Sequence, residues 1–300
     1  VADEIAQELA QIGMITDAKW VDLDQDLDLD LVLVGEWMPI TFLINEAGQF
    51  KLKEVIPKSS GWWNVIETAD LNGDGLMDLI VGNHGLNSRF KASQERPLHM
   101  FVKDFDNNGT IEQIICQYEG DKLFPLSLRH DLAKQMPGIK KKYLKYESYK
   151  DQEIKDVFDQ KMLNESLDLT AHDLASGLYL NRGSLQFERI TLPPAVQYSC
   201  VYAIGIADYN FDGHLDLLFG GNFYASKPEM GRYDASYGTL LSGDGAGHFE
   251  VIQPKLSGIK LDQEVRNLAF IKTSQGMALI VANNNAAVKV FEPTIYNRGH

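Results

Sequence analysis

One short acidic stretch of this chain has the residue types and the spacing of a calcium-binding loop. From Asp70 onward, oxygen-bearing side chains recur at the first, third, fifth and ninth positions, and a glycine stands at the sixth. Ca²⁺ prefers six to eight oxygen ligands at about 2.3–2.6 Å, so a tight loop with an oxygen at every second residue suits it. Gly75 allows the positive φ that such a turn needs. The stretch therefore predicts a calcium site over residues 70–78.

The same spacing occurs at three other places, which argues against chance acidity and against simple solvated turns. The stretch from Asp208 repeats the pattern in full, and the stretch from Asp104 has Glu112 at the ninth position. The stretch from Asp22 has Leu27 where glycine is expected. We number the loops 1 to 4 in chain order; they span residues 22–30, 70–78, 104–112 and 208–216. The repetition predicts three to four bound Ca²⁺ ions.

An EF-hand also binds Ca²⁺ through closely spaced carboxylates, but this sequence argues against one. The EF-hand needs a bidentate Glu at the twelfth position and a helix on each side of the loop. Apolar strand-like runs follow the loops here, so we expect each loop to join strand to strand. The residues at the twelfth positions are all apolar: Leu33, Val81, Ile115 and Phe219.

Composition limits the class of protein and its partners. The net charge of −14 disfavours nucleic acid as a partner, and 14 of the 42 acidic residues lie in the four loops. No apolar run approaches the roughly 18 residues that predict a transmembrane segment. Two cysteines, Cys116 and Cys200, lie in apolar runs and are expected to be buried thiols, although a single disulfide remains an alternative. Calcium modules of weak affinity belong where Ca²⁺ is abundant, which predicts an extracellular, cell-surface or periplasmic protein.

Short strands in units of roughly 40–50 residues predict an all-β fold, a single β-propeller domain over residues 1–300. About five blade units are visible, and the last has no acidic loop. A short helix is predicted over residues 3–12. Residues 98–102 are predicted as the next strand of the second unit, with a register that is ambiguous around loop 3. Helical patterns predict an insertion within a blade at about residues 125–172.

The four loops resemble the FG-GAP and VCBS repeats, the calcium-loop blades of the integrin α-subunit propeller. The resemblance covers about residues 14–292, and residues 222–238 resemble the C-terminal part of large bacterial surface proteins, some of which carry an ASPIC/UnbV domain. Such propellers usually have seven blades, so the chain is expected to be part of a ring or to close with fewer blades. The family binds Ca²⁺ through the side chains at positions one, three, five and nine and the backbone carbonyl at position seven.

Transferred by position, the resemblance implies a set of metal ligands in each loop. His214 is expected to offer its carbonyl and not its ring, and the longer side chain of Glu112 changes the geometry of loop 3. The implied residues are Asp22, Asp24, Asp26, Asp28 and Asp30 in loop 1; Asp70, Asn72, Asp74, Leu76 and Asp78 in loop 2; Asp104, Asp106, Asn108, Thr110 and Glu112 in loop 3; and Asp208, Asn210, Asp212, His214 and Asp216 in loop 4.

The connections on the face opposite the calcium loops are the predicted binding surface for a protein or glycan ligand. They are long and rich in the aromatic, Asn, Arg and His residues that anchor such partners. The alternative is a purely structural role, in which these connections pack on one another and fill the centre of the propeller ring. The candidate residues are Trp37, His84, Asn87, Arg89, Tyr224, Arg232, Tyr233 and Tyr237.

Catalysis has little support in the sequence. We find no nucleophile elbow, no phosphate-binding loop and no zinc-ligand cluster, and the acidic pairs belong to the metal loops. The sequence therefore favours a non-enzymatic binding protein. The alternative is a carbohydrate-active enzyme, a polysaccharide lyase or hydrolase; in a lyase, Arg232 with Tyr233 would abstract a sugar proton.

Overall fold

Antiparallel β-sheets dominate the computed structural model, which describes residues 9–53, 55–274 and 276–292. The strands in these ranges form five sheets, numbered here in chain order. No helix in the described ranges is long and apolar enough to cross a membrane. The helix predicted over residues 3–12 falls mostly outside the described residues.

Sheet 1 is a meander of four consecutive strands, β1 to β4, and the short strand β5 pairs with the far end of β2. Strand β2 is buried along almost its whole length, because its apolar run is covered on both faces. The strands are β1 (Met14–Val21), β2 (Asp30–Met38), β3 (Thr41–Glu46), β4 (Gln49–Lys53) and β5 (Gly61–Trp62).

Sheet 2 is assembled from two separate parts of the chain in the order β6-β7-β12-β13. The prediction that residues 98–102 supply its next strand is wrong, because β7 pairs with β12 almost 100 residues later. Local sequence patterns do not reveal such a pairing, because the segment between β7 and β12 forms strands of its own. The strands are β6 (Val65–Ala69), β7 (Asp78–Gly82), β12 (Gly177–Asn181) and β13 (Phe187–Ile190).

Sheet 3 lies within the segment between β7 and β12, in the order β10-β9-β8-β11. The insertion is therefore longer than the helical stretch that the sequence predicts, and its helices lie between β10 and β11. Sheet 3 and these helices share one apolar cluster that includes Phe101, Ile114 and Phe158. The elements are β8 (Leu98–Lys103), β9 (Glu112–Glu119), β10 (Lys122–Pro125), α1 (Arg129–Gln135), α2 (Pro137–Lys142), α3 (Ile154–Val157), α4 (Gln160–Asn164) and β11 (Leu167–Ala171).

Sheets 4 and 5 complete the described fold. Sheet 4 is a four-stranded meander like sheet 1, and sheet 5 has three strands. The first two strands of sheet 5 are only two residues apart in the chain, too few for a nine-residue loop. The elements are β14 (Val201–Ala207), β15 (Asp216–Gly221), β16 (Thr239–Gly243), β17 (Phe249–Ile252), α5 (Pro254–Ser257), β18 (Val265–Thr273), β19 (Gly276–Asn283) and β20 (Lys289–Phe291).

Sheets 1, 2, 4 and 5 pack in series through their first strands. Strand β1 lies against β6, β6 against β14, and β14 against β18. A separate apolar cluster fills each junction, with Trp63 between sheets 1 and 2, Phe219 between sheets 2 and 4, and Val265 between sheets 4 and 5. Sheet 3 instead contacts sheet 1 through β11, which lies against β2 and β5.

The four acidic loops join the first two strands in chain order of sheets 1 to 4, which confirms that they run from strand to strand. In every loop the ninth residue is also the first residue of the second strand. The loops of sheets 1, 2 and 4 thus lie at one end of the sheets, and the connections after β2, β7 and β15 lie at the other.

Candidate metal loops and ligand cavity

All four loops are held by the same three hydrogen bonds. The ninth carboxylate accepts the backbone N–H of the second residue, the first carboxylate accepts that of the sixth, and the fifth side-chain oxygen accepts that of the seventh. In loop 2 each of these bonds measures 2.9 Å, and the range over the other loops is 2.7–3.2 Å. Each loop is therefore preformed by its own side chains, which are all acidic except for the amide of Asn108 in loop 3.

The ninth carboxylate is buried in every loop, and in loops 1, 2 and 4 it ties three strands together. One oxygen holds the loop, and the other accepts the backbone N–H of a residue on the third strand of the sheet. The third-strand donors are Asn45 to Asp30 at 2.9 Å, Asn181 to Asp78 at 2.8 Å and Gly243 to Asp216 at 3.0 Å. These carboxylates are at most 1% exposed.

Loop 3 differs because its ninth residue has no third-strand donor. Strand β10 pairs with β9 only from Glu119 to Cys116, so it stops short of Glu112. Glu112 is 2% exposed, and its Oε1 atom has no hydrogen-bond partner in the described residues. A buried carboxylate oxygen without a partner is costly, and a bound cation would satisfy it.

Burial and mutual repulsion disfavour the charged carboxylates when no cation is present. Burial, followed by the nearby Asp74 and Asp70, raises the pKa of Asp78 to about 6. Burial also raises the pKa of Asp30, and burial with the charge of Asp26 raises that of Asp24. A divalent cation would offset this repulsion, because its charge lies among the carboxylates.

The oxygen positions in two loops fit a single ion. In loop 1, one oxygen each of Asp22, Asp24 and Asp30 lie within 4.8 Å of one another. The corresponding group in loop 3 is Asp104, Asp106 and Glu112. Ligands at about 2.3–2.6 Å from one Ca²⁺ ion are separated by up to about 5 Å, so this spacing is suitable. Loops 2 and 4 have an Asn at the third position, so their first, third and ninth positions hold two carboxylates instead of three.

A cavity of about 640 Å³ lies where the connections at the other end of sheets 1, 2 and 4 meet sheet 3 and α1. Its aromatic lining includes Trp37, Trp62 and Phe90, and the rings of Trp37 and Trp62 meet edge to face at 5.1 Å. Charged side chains also line it, among them Glu36 and Arg89. A concave, mostly apolar site with a few polar groups is typical of a ligand-binding pocket.

One strained residue and two unpartnered nitrogens lie at this cavity. Trp37 has a φ of 59°, a left-handed conformation that a bulky residue rarely adopts. The buried atoms Trp62 Nε1 and His84 Nε2 have no hydrogen-bond partner in the described chain. Burial lowers the pKa of His84 to about 4, so its imidazole is neutral at physiological pH. Strain of this kind often marks a functional site.

The structure brings four of the eight predicted ligand residues to this cavity: Trp37, His84, Arg89 and Tyr233. The other four lie elsewhere. The Asn87 side chain donates to the carbonyl of Tyr198 and lines a smaller cavity, and the Tyr224 hydroxyl donates to the carbonyl of Asp262. The Arg232 guanidinium lies over the Tyr224 ring at 5.3 Å, and Lys260 lies over the ring of the exposed Tyr237 at 5.8 Å.

Several cavity residues escaped the sequence analysis. Trp62 and Tyr202 lie on strands β5 and β14, whose patterns give no sign of a site, and Glu36 lies beside the predicted Trp37 on β2 without having been predicted itself. Gln113 belongs to sheet 3, whose position beside sheet 1 depends on a long-range packing contact. The adjacent tryptophans at 62 and 63 are a local feature that could have indicated a binding site, although only Trp62 lines the cavity.

Comparison with known families identifies one part of the chain. Residues 22–81 match the FG-GAP-like repeat family. This stretch is an FG-GAP-like repeat. It contains loops 1 and 2 and runs from the first loop to the end of β7, which covers most of sheet 1 and the first half of sheet 2. No curated protein matches the chain.

The two cysteines, Cys116 and Cys200, both lie outside the FG-GAP-like repeat. Both are free and buried, as predicted. The sulfur of Cys200 lies 3.5 Å from Nδ1 of His84, which is the arrangement of a nucleophile beside a base. Burial, however, raises the pKa of the Cys200 thiol to about 12, so the thiol stays protonated. The pair therefore lacks the thiolate that nucleophilic catalysis needs.

Leu27 occupies the sixth position of loop 1. It has the positive φ that glycine has at this position in the other three loops. Its φ is 72° and its side chain is 91% exposed, so it has strain without compensating burial. We expect Leu27→Gly to raise the free energy of unfolding by about 0.5–1 kcal/mol, as measured by denaturant titration. Leu29→Gly, at an exposed position without positive φ, should lower it by about as much. A loss of stability in both variants would contradict this interpretation.

Proposed function

We propose that this chain is a calcium-stabilised module of the β-propeller type, from a secreted or surface protein. Its Ca²⁺ ions would be held by loops 1 to 4, and its ligand, a protein or a glycan, would bind in the cavity at the other end of the sheets. The module would act by binding and not by catalysis.

The shared hydrogen-bond scheme of the four loops is the observation that carries the calcium proposal. It gathers the oxygens of the first, fifth and ninth side chains around one turn, and because each carboxylate oxygen has two lone pairs, an oxygen that accepts a backbone N–H can still bind a cation. The unpartnered Oε1 of Glu112 supports the same interpretation, because it is a buried acceptor beside two further carboxylates. Carboxylate, amide and carbonyl oxygens are the hard ligands that Ca²⁺ prefers.

The propeller part of the proposal is supported by the packing of the sheets. Radially arranged antiparallel sheets with their first strands innermost are the basis of a propeller, and sheets 1, 2, 4 and 5 pack in series through their first strands. The FG-GAP-like repeat is typical of extracellular proteins, which supports the proposed location. Abundant extracellular Ca²⁺ would keep loops of weak affinity occupied.

A matched pair of variants in loop 1 tests the calcium proposal. Asp24 lies at the third position and its side chain faces the other carboxylates, whereas Asp28 at the seventh position would contribute only its backbone carbonyl. We expect Asp24→Asn to weaken binding at one site by about tenfold or more, and Asp28→Asn to leave it nearly unchanged. Calorimetric Ca²⁺ titration measures both.

The two substitutions remove the same charge from the same loop, so a general electrostatic effect would change both variants equally. Equal weakening in the two variants would contradict the ligand assignment. Absence of Ca²⁺ binding to the unmodified protein would overturn the proposal itself.

A further inference from the structure

Two cations on the wall of the large cavity lack an anionic partner. Arg89 lines the cavity from the connection after β7, and its hydrogen-bond contact is Nη1 to the Met230 sulfur at 3.6 Å. Lys227 lines it from the connection after β15. Neither side chain forms an ion pair among those that the structure describes. Because a thioether is a weak acceptor, the guanidinium of Arg89 keeps its donors free for a ligand.

The shape of the site favours a small ligand over the face of a globular protein. The cavity is concave with a volume of about 640 Å³, within the range of pockets that enclose small molecules. A stable protein–protein interface instead buries about 800 Å² on each partner over a broad surface. A single ligand of a few rings, or a segment of a longer polymer, would suit this space.

The remaining lining includes aromatic rings, unpaired polar groups and the carboxylate of Asp131, which already lies near Lys134 and His130. Trp37 and Trp62 supply ring surface, against which the C–H groups of a sugar can pack. Glu36, Gln113 and Gln135 line the same cavity, are exposed and form no side-chain hydrogen bond within the described ranges. A carboxylate and two amides are suitable partners for vicinal hydroxyl groups, because each offers two neighbouring polar atoms.

We infer that the cavity binds an acidic sugar, a hydroxyl-rich ring whose carboxylate is held by Arg89 and Lys227. The inference rests on the proposed ligand-binding role and adds the chemical class of the ligand. Arg89 can bind a carboxylate in a bidentate manner, and Lys227 adds a second positive charge. An acidic peptide would satisfy the two cations but would leave the polar groups that suit hydroxyls without partners.

The test uses tri-galacturonic acid and its methyl ester, which has the same ring skeleton but no charge. Binding is followed by tryptophan fluorescence of the full chain in Ca²⁺, since Trp37 and Trp62 line the cavity. We expect the acid to bind about tenfold or more tightly than the ester, and Arg89→Gln to remove most of this preference, with Lys227 retaining the remainder. Arg232→Gln is the matched control, because Arg232 lies over Tyr224 and does not line the cavity.

Equal affinity for acid and ester, or equal loss in the Arg89 and Arg232 variants, would overturn the inference. Binding of an acidic peptide but of neither saccharide would also overturn it, while leaving a ligand-binding role in place. The calcium part of the proposed function is tested separately by melting in Ca²⁺ and in chelator. A calcium-dependent melting temperature with no saccharide binding would thus refute the acidic-sugar assignment alone.

Discussion

Asp216→Ala is expected to lower the free energy of unfolding by about 2–5 kcal/mol in the absence of metal. The Asp216 carboxylate is 1% exposed and accepts the backbone N–H groups of Tyr209 at 2.9 Å and Gly243 at 3.0 Å. Alanine would leave both donors without a partner at the junction of loop 4 with β15 and β16. For a chain of 300 residues the change corresponds to a fall in melting temperature of roughly 3–8 °C, measurable by circular dichroism in EGTA.

Asp212→Ala is the matched control within the same loop. Asp212 also accepts a backbone N–H, from His214 at 2.9 Å, but it is exposed, so water can replace the lost acceptor. We expect a loss of at most about 1.5 kcal/mol. Similar losses in the two variants would show that the buried ninth carboxylate does not have the special structural role assigned to it.

Calcium itself is expected to produce the second large effect. A ligand that binds only the folded state stabilises it by about 2.7 kcal/mol per site at a concentration 100 times its Kd. With three or four sites, saturating Ca²⁺ should raise the melting temperature by more than about 10 °C relative to EGTA. The physical reason is the repulsion between the buried ninth carboxylate and the other carboxylates of its loop, which the ion offsets.

Magnesium is a useful control for this effect. Mg²⁺ has the same charge but prefers near-ideal octahedral geometry at shorter distances and retains several waters. Equal stabilisation by Mg²⁺ and Ca²⁺ would indicate charge screening and not a built calcium site. A melting temperature that is independent of both ions would contradict the account of the loops.

The loops were the most predictable part of this molecule because their geometry is local. Nine residues with an oxygen at every second position determine the turn and the apolar strand that follows. Even Leu27 keeps the loop conformation with a positive φ in place of glycine. The consequence of Glu112 was less predictable, because its free oxygen depends on where β10 ends and not on the loop itself.

The strand partners in the middle of the chain could not be predicted in the same way. Strand β8 precedes an acidic loop and looks locally like part of another repeat, yet β7 pairs with β12 across the whole insertion. The residues that line the cavity were difficult to predict for a similar reason. His84 and Arg89 were found because their connection is long and polar, whereas Trp62 and Tyr202 lie on strands and reach the site only through the packing of sheets.

The most direct test of the central claim is a count of Ca²⁺ ions bound by the unmodified chain, made by calorimetric titration after chelation and dialysis. The account predicts three or four ions, with binding coupled to the rise in melting temperature. If no Ca²⁺ binding is detected at high Ca²⁺ concentration while the chain is folded, the account is contradicted. The four loops would then be preformed turns that hold no metal.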